Sequence, residues 1–291
     1  MLKKAIPFIF VLLWSTGFVG AKFGLIDSNA ATFLLIRMAL NVLVFIAILL
    51  VMKPVMPKGM QIVHALASGI LIHGFYLGGV FAAIDHGMPA GLSSLLVGLQ
   101  PILTAVIVVN TSSERLNTAQ WLGLAAGIIG IAFVVQGKMS WGIDAQPLYA
   151  YLFVGSALLG ITFGTLYQKH FCQGMNLVAS AMWQYVAATM VFLPIVWLIV
   201  GVQVTWTLTF SLTMLWSVLV LSVVAVLLYL YMVDQGAASK VTSYIYLVPP
   251  LAALQGWLFF DEAFSGATLI GFACCAMAVY LVMKAPKLSL R

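Results

Sequence analysis

The chain has 291 residues, of which 64% are hydrophobic and only 7% are Asp, Glu, Lys or Arg, with a mean hydropathy of +1.13. Soluble domains carry about 25% charged residues, so a soluble globular enzyme is excluded: too little charge is present to cover its surface. The long unbroken apolar runs do not fit a β-barrel either, whose strands alternate apolar and polar residues over about 10 positions; the class that remains is an all-α polytopic membrane protein.

A helix needs about 20 apolar residues to cross a hydrocarbon core of about 30 Å. In chain order, ten stretches meet this: 5–22, 30–51, 62–84, 89–109, 116–136, 147–168, 177–200, 209–233, 240–260 and 264–283. Together they leave no room for a separate soluble domain, so the function is expected inside the membrane part. The first stretch follows Lys3 and Lys4 and has small residues at Gly20 and Ala21. That pattern resembles a signal peptide, but the stretch has a counterpart later in the chain and is read as a span.

Cytoplasmic loops carry the excess of Lys and Arg. With the amino terminus inside, Lys3, Lys4, Lys53, Lys58, Arg115, Lys169, Lys240, Lys284, Lys287 and Arg291 all fall on the cytoplasmic side. Lys22 and Lys138 fall outside, and Arg37 lies within the second span. An even number of spans then places both termini in the cytoplasm, with the protein in the plasma (bacterial inner) membrane. The net charge of +6 is thus a topology signal. The basic residues do not cluster on one face as a nucleic-acid site requires, so the expected partners are the lipid bilayer and a small-molecule metabolite, with no nucleic acid.

The two halves resemble each other. Ile84-Asp85-His86-Gly87 and Val233-Asp234-Gln235-Gly236 are offset by 149 residues. At the same offset Ser93-Ser94 falls on Thr242-Ser243 and Pro101 on Pro250, and one residue of slippage pairs Glu114 with Glu262 and Gly123 with Gly271. Five spans in each half mean that the second copy enters from the opposite side, an inverted repeat of the kind that recurs in secondary transporters. The expected units are 1–140 and 141–291, two inverted five-helix copies.

Leu13-Trp14-Ser15-Thr16-Gly17-Phe18 and Phe33-Leu34-Leu35-Ile36-Arg37, with Gly91-Leu92-Ser93-Ser94 and Gln100-Pro101, resemble the EamA family of the drug/metabolite transporter superfamily. Ala238-Ser239-Lys240-Val241-Thr242-Ser243, Pro249-Pro250 and Asp261-Glu262 continue the resemblance through the second half. The resemblance implies ten helices, cytoplasmic termini and movement of small metabolites, amino acids and related compounds among them. One departure is that Pro249 stands where the second copy usually has Glu or Gln before proline.

Polar side chains within spans are costly and tend to face the bundle interior. Arg37, the basic residue well inside a span, is a candidate to neutralise a cargo carboxylate; it is equally open to snorkelling. Its counterpart in the second half is Gln184. His73 sits in the middle of the third span and titrates near neutral pH, so it is a candidate proton carrier or a packed core histidine. His64, His86 and His170, near span ends, are expected to be solvated. Gln100 precedes Pro101, and proline frees a backbone carbonyl and loosens its helix. Pro101 with Pro249 and Pro250 are therefore candidate hinges, and Gln100 a candidate cargo contact. Trp14, Tyr76, Trp183 and Tyr244 fall deep enough to wall a cavity. Gly123, Gly127 and Gly130 lie on or near one face of the fifth span, and the first two have the small-residue spacing that lets helices approach closely, either within the fold or in a homodimer.

The seven acids, Asp27, Asp85, Glu114, Asp144, Asp234, Asp261 and Glu262, all lie at or near span ends. That weighs against carboxylate-coupled antiport and leaves facilitated exit, exchange or coupling through His73. The three cysteines have no zinc or disulfide spacing, and no HExxH or GxSxG motif is present. No catalytic residue, metal or cofactor is expected. The expected function is a secondary, non-ATP carrier of small metabolites, amino acids or derivatives above all, by alternating access and in the direction of export. A site with one basic residue suits a zwitterion or a monocarboxylate. The alternatives are an intramembrane enzyme, or a channel or scaffold without carrier activity.

Overall fold

The computed structural model describes residues 2–111, 117–136, 147–235, 244–260 and 266–284. Expectations placed on Glu114, Arg115, Lys138, Asp144, Gly236, Lys240, Thr242, Ser243, Asp261, Glu262, Lys287 and Arg291 lie outside the described residues.

Helix α1, Leu2–Gly24, is followed by α2, Ala30–Met52, which is capped by Asn29, whose side chain accepts from the Thr32 amide at 2.8 Å. Such a cap satisfies one of the amides that a helix start leaves orphaned. Helix α2 ends at Lys53 in the left-handed conformation, φ 45°. The long α3, Met60–Asp85, widens to π-helix over Ile70–Leu77. Helix α4, Ala90–Asn110, breaks at Gly98 and Leu99, ahead of Gln100-Pro101. Then follow α5, Thr118–Gln136, and α6, Leu148–Phe171. Helix α7, Leu177–Val200, is capped by Asn176, and α8, Leu208–Gln235, is capped by Thr207 and widens to π-helix over Trp216–Ala225. Helix α9, Tyr244–Phe260, opens with a 3₁₀ turn over Tyr244–Leu247, and α10 is Gly266–Lys284. The one pairing of extended backbone among the described residues is a bridge between Ser28 and Val204.

Among the described residues seven helices are long and apolar enough to cross a membrane: α1 to α4 and α6 to α8. At the other three expected spans the apolar helices are shorter: Thr118–Gly130, Tyr244–Phe260 and Leu269–Ala278. Leu50, Val51, Trp197, Leu198 and Leu208 stand exposed on the outside of the bundle. Large contiguous apolar surface of this kind belongs against lipid.

In lipid there is little hydrophobic gain from pressing two helices together, so close packing depends on small residues. Helix α3 is held this way on two sides. A Cβ at Gly69 would collide with the backbone of Gln184 in α7. On the α6 side, a Cβ at Gly160 would sit 2.7 Å from Phe75 Cβ and 2.8 Å from the Leu71 carbonyl, and one at Gly164 would sit 2.6 Å from Ile72. Helix α2 packs against α7, α1 against α8 and α9, and α5 along α10. The buried glycine face of α5 is used inside the chain: a Cβ at Gly127 would lie 2.6 Å from the ring of Tyr246.

Candidate functional site

Arg37 is 4% exposed and sits mid-helix in α2. Its Nε donates to Ser222 Oγ at 3.1 Å, across the bundle in the π-helical part of α8. Asn41, one turn on from Arg37 and so on the same face, donates to the same oxygen at 2.8 Å. Ser222 Oγ in turn donates to the Ser217 carbonyl at 2.9 Å, five residues back. Tyr185 Oη donates to the Ser222 carbonyl at 2.8 Å, and the Tyr185 ring packs on His73 with centroids 4.6 Å apart. Residues of α2, α3, α7 and α8 thus meet at one buried polar node.

Beside this node lies a cavity of about 30 Å³. Arg37, His73, Trp14 and Tyr76 supply its polar lining, and Phe18, Ile72, Phe81, Leu221 and Val226 part of its apolar wall. The space holds about two waters and is far below the ~300–1,000 Å³ of a loaded ligand pocket. Trp14 Nε1 donates to Tyr76 Oη at 3.1 Å with the two rings near parallel at 6.1 Å. Tyr229 lies on the other side of Trp14, centroids 5.4 Å apart.

Four of the expected site residues, Trp14, Arg37, His73 and Tyr76, therefore line one cavity. Gln184 is fully buried next to Tyr185, where its Nε2 donates to Gln168 Oε1 at 3.0 Å, and Gln168 also accepts from Ser68 at 2.7 Å. Trp183 packs against the core without lining the cavity, and its Nε1 is buried without a partner. Tyr244 lies edge-on to Phe8 at 6.0 Å. Gln100 is drawn to α6: its Nε2 donates to Thr165 Oγ1 at 2.9 Å, and that hydroxyl also meets Tyr229 Oη. Of the expected hinges, Pro249 meets the break of α4, where a Cβ at Gly98 would lie 2.8 Å from its Cγ. His64, expected to be solvated, instead bonds Tyr167 Oη at 2.8 Å and stacks on Phe171.

Asn41, Ser222 and Tyr185 were not singled out from the sequence. A signal existed for the first two: Asn41 is at i+4 from Arg37, and Ser222 lies 149 residues beyond His73, the repeat offset itself. Among the described residues no group of three His, Cys, Asp or Glu comes together as a metal site. At the end of α6, burial pushes the Cys172 thiol up to about 11, so it stays protonated and unreactive.

Replacing Gln100 by Leu removes the bond to Thr165 and a long one of 3.4 Å to the Ile161 carbonyl, while the Thr165 hydroxyl keeps that carbonyl at 2.6 Å and Tyr229. It also removes an unpartnered buried oxygen, Gln100 Oε1. The expected cost is within ~1 kcal/mol in thermal unfolding, with transport changed less than about tenfold. A hundredfold loss of transport at unchanged stability would place Gln100 in contact with cargo.

The family model described as the EamA-like transporter family matches this chain twice, over residues 5–136 and 148–284. Among curated proteins, the chain is 24% identical over 285 residues to an uncharacterized transporter, YoaV, of Bacillus subtilis, covering 95% of this chain and 96% of that one. It is 25% identical to a probable amino-acid metabolite efflux pump of Salmonella typhimurium, covering 93% and 91%. It is also 23% identical to an uncharacterized inner membrane transporter, YedA, of Escherichia coli, covering 94% and 88%. A solved structure titled only as a crystal structure of a protein superposes with a TM-score of 0.74 over 95% of this chain and 94% of its own, at 19% identity, and so shares the fold. Apolar helices of crossing length, a buried polar node between them and a family match across the whole length converge: the chain belongs to the EamA-like transporter family and is a multi-pass membrane transporter.

Proposed function

We propose that the chain is a secondary carrier that exports small metabolites, amino acids or their derivatives, across the bacterial inner membrane by alternating access. In this reading ten helices cross the membrane as two inverted five-helix repeats, 1–140 and 141–291, with both termini cytoplasmic. Arg37 and the cavity beside it receive the cargo.

The observation that carries the reading is the placement of Arg37: a buried cation at a small cavity where both halves of the chain meet, bonded there to neutral Ser222. Buried ionisable groups in membrane bundles mark substrate or ion paths. The double family match supports the two copies. So does the internal pairing. His73 corresponds to Ser222 at the repeat offset of 149, Arg37 to Gln184 at 147, and His73 packs on Tyr185, the neighbour of Gln184. The π-helical stretches Ile70–Leu77 and Trp216–Ala225 also fall at corresponding places. Such stretches occur at functional sites. The broken helices α4 and α9 meeting at Gly98 and Pro249 fit the arrangement in which paired helix breaks flank a carrier's site.

Alternating access requires the two ends of the site to differ. One end is tied between the halves: Thr207 Oγ1 donates to Asp27 Oδ2 at 2.5 Å, the Thr205 amide to the Asp27 carbonyl at 2.8 Å, and Thr32 Oγ1 to the Gly201 carbonyl at 3.3 Å. At the inverted counterpart no hydrogen bond joins 53–59 to 172–176 among the described residues. These ties support a closure on the side of 25–29 and 201–207, the outer side in this reading. Asp27→Ala is expected to loosen that closure. With Gly17→Cys placed at the cavity in a background without native cysteines, an impermeant maleimide added outside should label several-fold faster when Asp27 is Ala. Equal labelling rates would remove Asp27 from the closure.

The carrier reading itself is tested by entrance counterflow in liposomes over a broad metabolite panel. Saturation with counterflow is expected. Flux without saturation would make the protein a channel, and binding with no flux for any compound would end the carrier reading.

A further inference from the structure

Arg37 has no carboxylate partner among the described residues. The described acids are each engaged at helix ends. Asp27 takes Thr207, Asp85 accepts the Ala30 amide at 2.9 Å, and Asp234 accepts the Gly174 amide and Gln235. A guanidinium has five N–H donors in a planar fork that matches a carboxylate, and the structure gives Arg37 one bond, from Nε to a neutral serine. A buried cation left this way is costly unless a bound anion completes it. Beside it His73, 2% exposed, lines the cavity with its ring, while its Nε2 is shut off from open space and its side chain meets that of Gln184.

The polar lining of the cavity therefore offers donors. Trp14 Nε1 is already given to Tyr76, and the rest of the wall is aromatic and aliphatic, with Phe18 and Phe81 among it. An ammonium entering here would lose its water, find no carboxylate, and lie next to a second cation. Two nearby acceptors are unpartnered, Asn41 Oδ1 and Gln184 Oε1, but neither residue lines the cavity.

Resting on the carrier reading above, we propose that this site selects an apolar, aryl-type monocarboxylate without an ammonium group, its carboxylate held by Arg37 and its body against His73, Trp14, Tyr76, Phe18 and Phe81. Such compounds are amino-acid derivatives from which the free amine has been removed or acylated. Cargo enters when the walls part, since the cavity in this closed state holds only about 30 Å³.

The test uses one phenyl body with different head groups on the purified full chain. The compounds are 3-phenylpropionate, phenylpyruvate, N-acetylphenylalanine, phenylalanine, phenethylamine and 3-phenylpropionamide, scored by competition in counterflow and by thermal stabilisation. The three acids without an ammonium are expected to bind at least about tenfold more tightly than phenylalanine, with no response to the amine or the amide. Arg37→Gln should erase the difference between 3-phenylpropionate and its amide, and Arg37→Lys should keep part of it. A preference surviving in Arg37→Gln overturns the proposal. Phenylalanine or phenethylamine binding as well as the acids overturns it and leaves the carrier reading standing, as does saturable transport of other metabolites with all three acids ignored. No saturable flux of any compound overturns both.

Discussion

Replacing Arg37 by Gln is expected to lower saturable transport by about a hundredfold while leaving thermal stability unchanged or raised. The two effects have opposite signs for a physical reason. Charge-assisted hydrogen bonds are worth about 1.5–3 kcal/mol each, so losing a forked pair to a cargo carboxylate removes ~3 kcal/mol or more, about two decades in affinity. In the empty protein the same side chain is a burden, because a desolvated charge without an opposite partner is destabilising. Its removal leaves little behind. Ser222 Oγ keeps the Asn41 amide as donor and the Ser217 carbonyl as acceptor, so no orphaned polar group is created. Arg37→Lys should fall between, since an ammonium keeps the charge and loses the fork. The checks are counterflow rate and melting temperature on the same preparation. If Arg37→Gln melts markedly lower and transport falls only in proportion to folded protein, Arg37 is a structural residue and the site lies elsewhere.

Arg37 was legible in the sequence because a basic residue stands out in an apolar span. Ser222 carried a weaker signal, its repeat offset from His73, because serine by itself is unremarkable in a membrane helix and matters here for what α2 and α8 bring to it. The same distinction separates the rest. The helices α1 to α4 and α6 to α8 follow from unbroken apolar runs, and their ends from capping residues such as Asn29, Asn176 and Thr207. The π-helical stretches in α3 and α8 left no trace, since a sequence apolar on all faces has no periodicity that distinguishes a turn of i+4 from one of i+5. Gln100 drew attention as a polar residue before proline, yet its partner Thr165 sits 65 residues away. Pairing of that kind is set by helix packing, as is the meeting of Gly98 with Pro249.

Replacing Gly160 by Leu is expected to abolish folding, and Gly160→Ala to destabilise the protein by ~1–3 kcal/mol, the cost of overpacking a tight seam. The nearest atoms to a Cβ there include the Leu71 carbonyl and the Tyr76 amide, backbone of the π-helical stretch, which cannot turn aside as a side chain tip would. Gly155 in the same helix provides the control. A Cβ there meets nothing within 4 Å, so Gly155→Ala should be neutral or stabilising by up to ~1 kcal/mol through the unfolded chain. The contrast also bears on how the site opens. Helix α3 is pinned to α7 at Gly69 and to α6 at Gly160 and Gly164 at backbone distance, which leaves little freedom to slide. The pins on the α6 side fall on Leu71, Ile72, Phe75 and Tyr76, inside the π-helical stretch Ile70–Leu77 where His73 and Tyr76 face the cavity, so a motion that parts this wall must loosen that seam. Gly160→Ala should accordingly slow transport more than it weakens cargo binding, because the added methyl overpacks the seam against the backbone of Leu71 and Tyr76 and removes no side chain that holds the cargo. Equal losses in rate and in affinity would place the opening motion in another helix.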